Sequence, residues 1–279
     1  MARWAAFLQV SRSGYYDWLK DRECRKVREN SLKERVKKLF VETGGSYGAE
    51  RICGVLRRRG EKASRPKISR LMNEMGLSSI HNRHRRRSLT NSRKSRGEGY
   101  PNLVRGQVFT LPYQAVCSDI SYLKTGEGWL YLCVVKDIVT GEILGQATSD
   151  NLRKELVIKA FLNAHARHKL PKGMIFHSDR GCQYTSKEFM ANLAQMGVKQ
   201  SFSRVGIPGD NAWAESFFAT LKKERVHFNF FPTRAIADFA VFAWIEGLYN
   251  TKRAQERLGY ISPAEYRKFL TDGMRKSVA

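Results

Sequence analysis

Three acids stand out because they interrupt apolar stretches of this 279-residue chain. Asp119 lies inside QAVCSDISYLK, residues 114–124, and Asp179 comes just past GMIFH, residues 173–177. Glu215 sits in the first turns of a helical pattern whose neighbours Trp213, Phe217, Phe218 and Leu221 are apolar. An unpaired carboxylate in such surroundings is costly, so each acid needs something to hold. Three carboxylates converging from two strands and a helix would form an all-oxygen cage suited to Mg²⁺ or Mn²⁺, and such a cage serves two-metal phosphoryl transfer. Singly, each acid has an ordinary reading. Asp119 could cap a turn, Asp179 could open an Asx-turn with Arg180 and Gly181, and Glu215 could pair with Lys222 or Lys223. The constellation carries more: 59 residues separate Asp119 from Asp179, and 35 separate Asp179 from Glu215.

The elements that must position these acids follow from periodicity. Segments 114–124, 128–139 and 141–149 alternate apolar and polar residues between short Gly-containing turns, which predicts three consecutive strands in an antiparallel meander. An amphipathic helix follows through Leu152, Leu156, Val157, Ala160 and Phe161, then the strand GMIFH, the helix SKEFMANLAQMG and the short strand VKQSF. The predicted order is βββ-α-β-α-β, completed by a helical pair over 211–227 and 234–253 around Pro232.

Upstream the texture is helical. Leu32, Val36, Leu39 and Phe40 predict a helix from Ser31 that stops at Gly44-Gly45. Two shorter helices follow, the first through Ile52, Val55 and Leu56, the second with Ser64 as N-cap, Pro66 in its first turn and Ile68, Leu71, Met72 and Met75 turned inward. This pair is a helix-turn-helix candidate, and Arg65, Lys67 and Arg70 are left off its apolar stripe as DNA contacts. Residues 81–106 are almost devoid of apolar side chains and rich in Arg and Lys, including Arg85, Arg86 and Arg87. Such a run reads as a basic linker that tracks phosphates without reading sequence.

Charge points the same way. Lys and Arg number 50 against 26 Asp and Glu, a formal net charge of +24, which calls for a polyanionic partner, nucleic acid before an anionic membrane. The excess is +16 over residues 1–100 and +8 over the remainder, so a basic N-terminal part is joined to a more balanced one. Five scattered cysteines without a CxxC pair indicate neither a disulfide framework nor structural zinc. No apolar run reaches the ~18 residues of a membrane span, and the N-terminus lacks the apolar core of a signal peptide. A cytoplasmic protein without a membrane partner is expected.

At this point the residues carry a resemblance. CSDISYLKTGEGWLYLCVVKDI, FHSDRGCQYTS, GDNAWAESFFATLKKE and LYNTKRAQERLGYISPAEY, with SRSGYYDWL and the helix-turn-helix segment, resemble the OrfB catalytic proteins of bacterial insertion-sequence transposases over roughly residues 10–270. That resemblance implies an α/β, RNase H-like (retroviral integrase-like) catalytic fold behind an all-α helix-turn-helix region. It implies a DDE transposase, dependent on Mg²⁺ or Mn²⁺ with two ions, that cleaves element ends and transfers the freed 3′-OH strand. Carried over by position, Asp119, Asp179 and Glu215 become the catalytic and metal-binding triad, with Lys222 and Asn211 as DNA-contacting residues. Cys182 and Gln255 stand where the family commonly has Ser and His.

The implied organisation is a helix-turn-helix-like region over 1–78, a basic linker over 79–108, an integrase-like core over 109–232 and a helical extension over 233–279. The expected partners are element-end and target DNA, further copies of the chain on that DNA, and the product of an upstream reading frame (OrfA), in a bacterial, nucleoid-associated setting. Two other activities fit the same acids: a nuclease of this fold without strand transfer, and a non-enzymatic DNA-binding regulator.

Overall fold

A computed structural model describes residues 11–82, 100–204 and 208–278. The chain divides into two compact units, Met1–Asn82 and Arg83–Ala279. The first is helical. Helix α1 spans Arg12–Glu42, with the Ser11 hydroxyl accepting from the Gly14 N–H at 2.9 Å as its N-cap. It begins about five turns earlier than the expected start at Ser31. Apolar periodicity marks only its buried half: Leu32, Val36 and Leu39 are buried, whereas Tyr16, Trp18 and Val27 are exposed. Helices α2 (Ala49–Arg58) and α3 (Arg65–Glu74) bury Ile52, Cys53, Val55 and Leu56, and Ile68, Leu71 and Met72, as the periodicity requires. Ser64 occupies the N-cap position of α3, but its side chain makes no capping bond. The intervening turn is held instead by Arg57 Nε, which donates to the Ala63 carbonyl at 2.7 Å.

The second unit is built on a five-stranded mixed sheet in the order β3-β2-β1-β4-β5. Strands β1 (Ala115–Thr125), β2 (Gly128–Asp137) and β3 (Ile143–Ser149) form the expected antiparallel meander. Strands β4 (Ile175–Ser178) and β5 (Lys199–Phe202) extend it in parallel from β1. Helices α4 (Lys154–His168) and α5 (Lys187–Gln195) connect β3, β4 and β5. They close a core that includes Val116, Cys133, Leu144, Phe161, Phe176 and Phe189. Gly145 allows α4 to approach β3, since a Cβ there would meet the Ala160 carbonyl oxygen at 2.5 Å.

On the other side of the sheet lie α6 (Ala212–Leu221) and α7 (Arg234–Trp244), and α8 (Pro263–Val278) closes the chain. Phe217 and Phe218 of α6 pack with Leu123, Leu132, Val134, Trp244 and Tyr249. The continuous helices expected over 211–227 and 234–253 are each interrupted by a π-helical turn, at Lys222–Val226 and Ile245–Tyr249. A π turn re-phases a helix by about one residue. These two turns accompany a buried ion pair between Glu224 and Arg253, closest at 2.8 Å, which no single-sequence pattern announces.

The C-terminal end of the basic segment is anchored. Tyr100 packs on Phe202 with ring centroids 4.5 Å apart, Leu103 N–H donates to Ser201 Oγ at 2.8 Å, and Val104 is buried.

Candidate active site

The parallel register of β1 and β4 brings the two aspartates to one level. The last paired residues are Cys117 and His177, so Asp119 and Asp179 each stand two residues further along neighbouring strands. There the strands part, because β4 ends at Ser178 while β1 continues to Thr125 beside β2. Asp119 is half-buried, and its Oδ1 accepts its own neighbour's N–H, from Ile120, at 2.8 Å. Asp179 projects beyond the end of β4, exposed, with Oδ1 accepting from Gly181 N–H at 3.0 Å. This is the turn expected for an aspartate followed by Arg-Gly, and it leaves the second carboxylate oxygen for other partners.

Helix α6 supplies the third acid. Its buried face, Ala214, Phe217, Phe218 and Leu221, seats it against the sheet and leaves Glu215 on the rim. Two tethers fix its start. Asn211 Nδ2 donates to the Ser118 carbonyl at 3.2 Å, and the buried Lys136 Nζ donates to the Trp213 carbonyl at 2.6 Å.

The turn before α6 is held from below by His177. Ser201 Oγ accepts from Leu103 N–H and stands 2.9 Å from His177 Nδ1, while His177 Nε2 lies 2.9 Å from the Asp210 carbonyl. A neutral ring protonated on Nε2 satisfies both bonds, accepting from the serine and donating to the carbonyl. Burial lowers the His177 pKa, consistent with that neutral state. Arg204 grips the Asp210 carboxylate through Nε and Nη2 at 3.0 Å each, with Asn102 adding a 3.0 Å bond. The Arg204 bond leads in drawing the Asp210 pKa down to about 2.

The three acids form one electrostatic group. Burial, followed by the negative charge of Asp179 and with Glu215 contributing, pushes the Asp119 pKa up to about 7. Asp179 and Glu215 are also raised, through loss of water around their carboxyls. Although Asp179 is solvent-accessible, protein atoms crowd its carboxyl group at the end of the strand. Lys222 is the opposing charge: it stabilises ionised Asp119, and its own pKa is lowered by burial. Its ammonium lies 5.3 Å from the centroid of the Tyr122 ring.

The donor chemistry suits a hard divalent cation, since every charged side chain of the acid group offers oxygen. The buried Asn211 Oδ1, on the side chain tethered to Ser118, also lacks a hydrogen-bond partner among the described residues. Among those residues no three His, Cys, Asp or Glu side chains stand close enough to ring one ion.

Comparison with known proteins decides the family. An integrase core domain model matches residues 110–208, a second integrase core domain model residues 215–269, and an HTH-like domain model residues 27–86. The transposase for insertion sequence element IS904 of Lactococcus lactis is 38% identical over 245 residues, spanning 87% of this chain and 96% of that protein. The chain belongs to the insertion-sequence transposases. The transposase InsF for insertion sequence IS3A of Escherichia coli is 33% identical over 266 residues, spanning 93% of this chain and 91% of that protein. A 31 kDa protein of insertion element IS600 from Shigella sonnei shares 38% identity over 262 residues. Membership makes the chain a DDE-type polynucleotidyl transferase whose fold is the RNase H-like arrangement expected from its motifs. No helix among the described residues is long and apolar enough to cross a membrane.

In this transposase the remaining expected DNA contacts are dispersed. Arg65, Lys67 and Arg70 are exposed on α3, and Arg70 is engaged with Glu29 at 3.1 Å and Glu74 at 3.5 Å. Arg85, Arg86 and Arg87 lie outside the described residues. Lys222 stands within reach of the acid group, whereas Asn211 is buried and spends its amide on Ser118. Sequence reasoning overlooked His177, Lys136, Asp210 and the buried Tyr184, whose hydroxyl is 2.9 Å from Ser118 Oγ. One signal was available for two of them: His177 and Lys136 are polar residues inside strands that are otherwise apolar.

Proposed function

We propose that Asp119, Asp179 and Glu215 are the catalytic and metal-binding triad of this transposase, acting at insertion-sequence ends. The reading is carried by one observation: the β1–β4 register sets Asp119 level with Asp179, and α6 brings Glu215 near enough that both acids add to the burial that raises the Asp119 pKa. Carboxylates that repel one another are stabilised together when a cation lies between them. The proposed ions are Mg²⁺ or Mn²⁺, two in number. When bound they would activate the attacking oxygen and stabilise the leaving one during in-line displacement.

The protein's own residues do the rest. Asn211, Lys136 and the His177–Asp210 contact hold the start of α6 against the sheet, so that Glu215 keeps its place relative to Asp119. Lys222 attracts a phosphate beside the acids, and the basic N-terminal part supplies affinity that does not depend on sequence. In the N-terminal unit α3 presents Arg65, Lys67 and Arg70 to the groove of duplex DNA. Arg85, Arg86 and Arg87 add contacts to the backbone. The chain would work as a homo-oligomer on DNA with an upstream-frame partner, in the bacterial cytoplasm at the nucleoid.

The test combines the full chain with labelled element ends, Mg²⁺ and supercoiled target DNA. Cleaved ends joined to target support the reading. Cleaved ends that never join show a nuclease, and binding without cleavage shows a DNA-binding regulator.

A further inference from the structure

The β1–β2 hairpin carries a surface feature that the triad does not use. Beyond Ile120 and Tyr131, which pack against the main core, the hairpin exposes two large aromatic side chains, Tyr122 at 45% and Trp129 at 46%. They meet edge to face, with ring centroids 5.0 Å apart and planes inclined by 82°. Register explains the pairing. Tyr122 lies opposite Tyr131 and Lys124 opposite Trp129, so these four side chains share one face of the hairpin. Cations surround the rings: Lys222 over Tyr122, exposed Lys124 across from Trp129, and Arg234, whose Nε donates to the Trp129 carbonyl at 3.1 Å.

The place of this feature matters as much as its content. Tyr122 is on the opposite face of β1 from Asp119, with Lys222 reaching both, and lies three residues along the strand, about 10 Å at strand rise. That is about three base-pair steps of duplex DNA at 3.4 Å each. Aromatic faces flanked by cations suit a single nucleic-acid strand, because every base has a face to stack and every linkage a charge to neutralise. A protein partner would favour a continuous apolar patch, and here lysines break the patch up.

We infer that Tyr122 and Trp129 form a stacking platform for an unpaired base of the DNA strand beside the acid group. This inference rests on the proposed triad for the position of the scissile phosphate, and on the hairpin geometry alone for stacking. It implies that the transposase favours DNA whose end is frayed or single-stranded within a few nucleotides of the reacting bond.

Binding without divalent ions separates the two dependencies, because no cleavage is needed. The probes are a duplex with a five-thymidine single-stranded tail, the same duplex with a five-residue abasic tail, and a blunt duplex, each titrated with the full chain. The expected result is about tenfold tighter binding of the thymidine tail than of the abasic tail. Tyr122→Ala and Trp129→Ala should each remove most of that ratio, while Tyr122→Phe and Trp129→Phe keep it; circular dichroism confirms that the variants fold. A 2-aminopurine placed in the tail should be quenched by wild type and not by the double alanine variant. Equal binding of thymidine and abasic tails by wild type, or an unchanged ratio in the double variant, overturns the platform. A change of oligomeric state in that variant without a change of ratio also overturns it, and gives the surface to a second copy of the chain. Joining without base preference defeats the platform and leaves the triad standing, whereas base preference without cleavage does the reverse.

Discussion

Asn211 Nδ2 and the Ser118 carbonyl oxygen are 3.2 Å apart, joining the residue before α6 to the residue before Asp119. The bond ties two of the three acids to each other through one backbone and one side chain. Asn211→Ala should therefore lower end cleavage at least tenfold, while the loss of one hydrogen bond costs only about 1 kcal/mol of stability. Single-turnover cleavage measured beside chemical denaturation checks this; a variant that cleaves at the wild-type rate would show that α6 is positioned without Asn211.

Asp119→Asn, Asp179→Asn and Glu215→Gln each remove a charge at nearly constant volume. Each should abolish cleavage and joining, leaving circular dichroism and binding of duplex DNA close to wild type. An active variant would remove its acid from the triad.

The raised Asp119 pKa makes a statement about pH and stability. Between the ordinary aspartate value of 3.8 and about 7 the folded protein holds a proton that the unfolded chain has lost. Stability conferred by this group is therefore complete at acid pH and declines as pH rises through about 7. In the absence of divalent ions the decline should be on the order of 2 kcal/mol, with allowance for solvent reaching the half-buried carboxyl. Thermal unfolding between acid and mildly alkaline pH should show this slope in wild type and a reduced slope in Asp119→Asn. Adding Mg²⁺ should raise the midpoint most at the alkaline end, and an equal rise at every pH would count against a cation bound by ionised Asp119.

Arg253 and Glu224 form an ion pair whose side chains are 8% and 1% exposed. Arg253→Met removes the guanidinium from a buried carboxylate and should cost about 3–5 kcal/mol. The double variant Arg253→Met/Glu224→Leu should recover most of that loss. Denaturant midpoints for the four proteins of the cycle measure the coupling, and additive losses would mean that the pair contributes no mutual stabilisation.

Lys222 and its neighbour Lys223 give an internal comparison on the π turn after α6. Lys222→Ala should weaken binding of element-end DNA severalfold at low salt and lower joining, because Lys222 is the cation that senses Asp119. Lys223→Ala should do less. Larger losses at Lys223 than at Lys222 would place the other face of this helix toward DNA.

Much of this arrangement was legible in the chain because it depends on short-range patterns. Alternation marked β1 to β3, glycines marked the turns between them, and an acid inside one apolar run and another just past a second marked Asp119 and Asp179 as residues awaiting partners. The two helices of the helix-turn-helix announced themselves through buried stripes. Where burial stopped, so did the signal: the first half of α1 is exposed, and its start at Arg12 went unseen.

What the tertiary structure alone decided is which distant groups share a space. The β1–β4 register sets Asp119 level with Asp179, and the Ser118–Asn211 and Lys136–Trp213 bonds set α6 beside them. The π turns, the Glu224–Arg253 pair and the His177–Asp210 contact likewise join residues far apart along the chain. Local propensity acts through a residue's immediate neighbours, whereas burial and Coulomb interaction act across space. The identities of the acids could therefore be read from the sequence, but the shift of Asp119 to about 7 exists only once the fold has buried its carboxyl and brought Asp179 and Glu215 to its side.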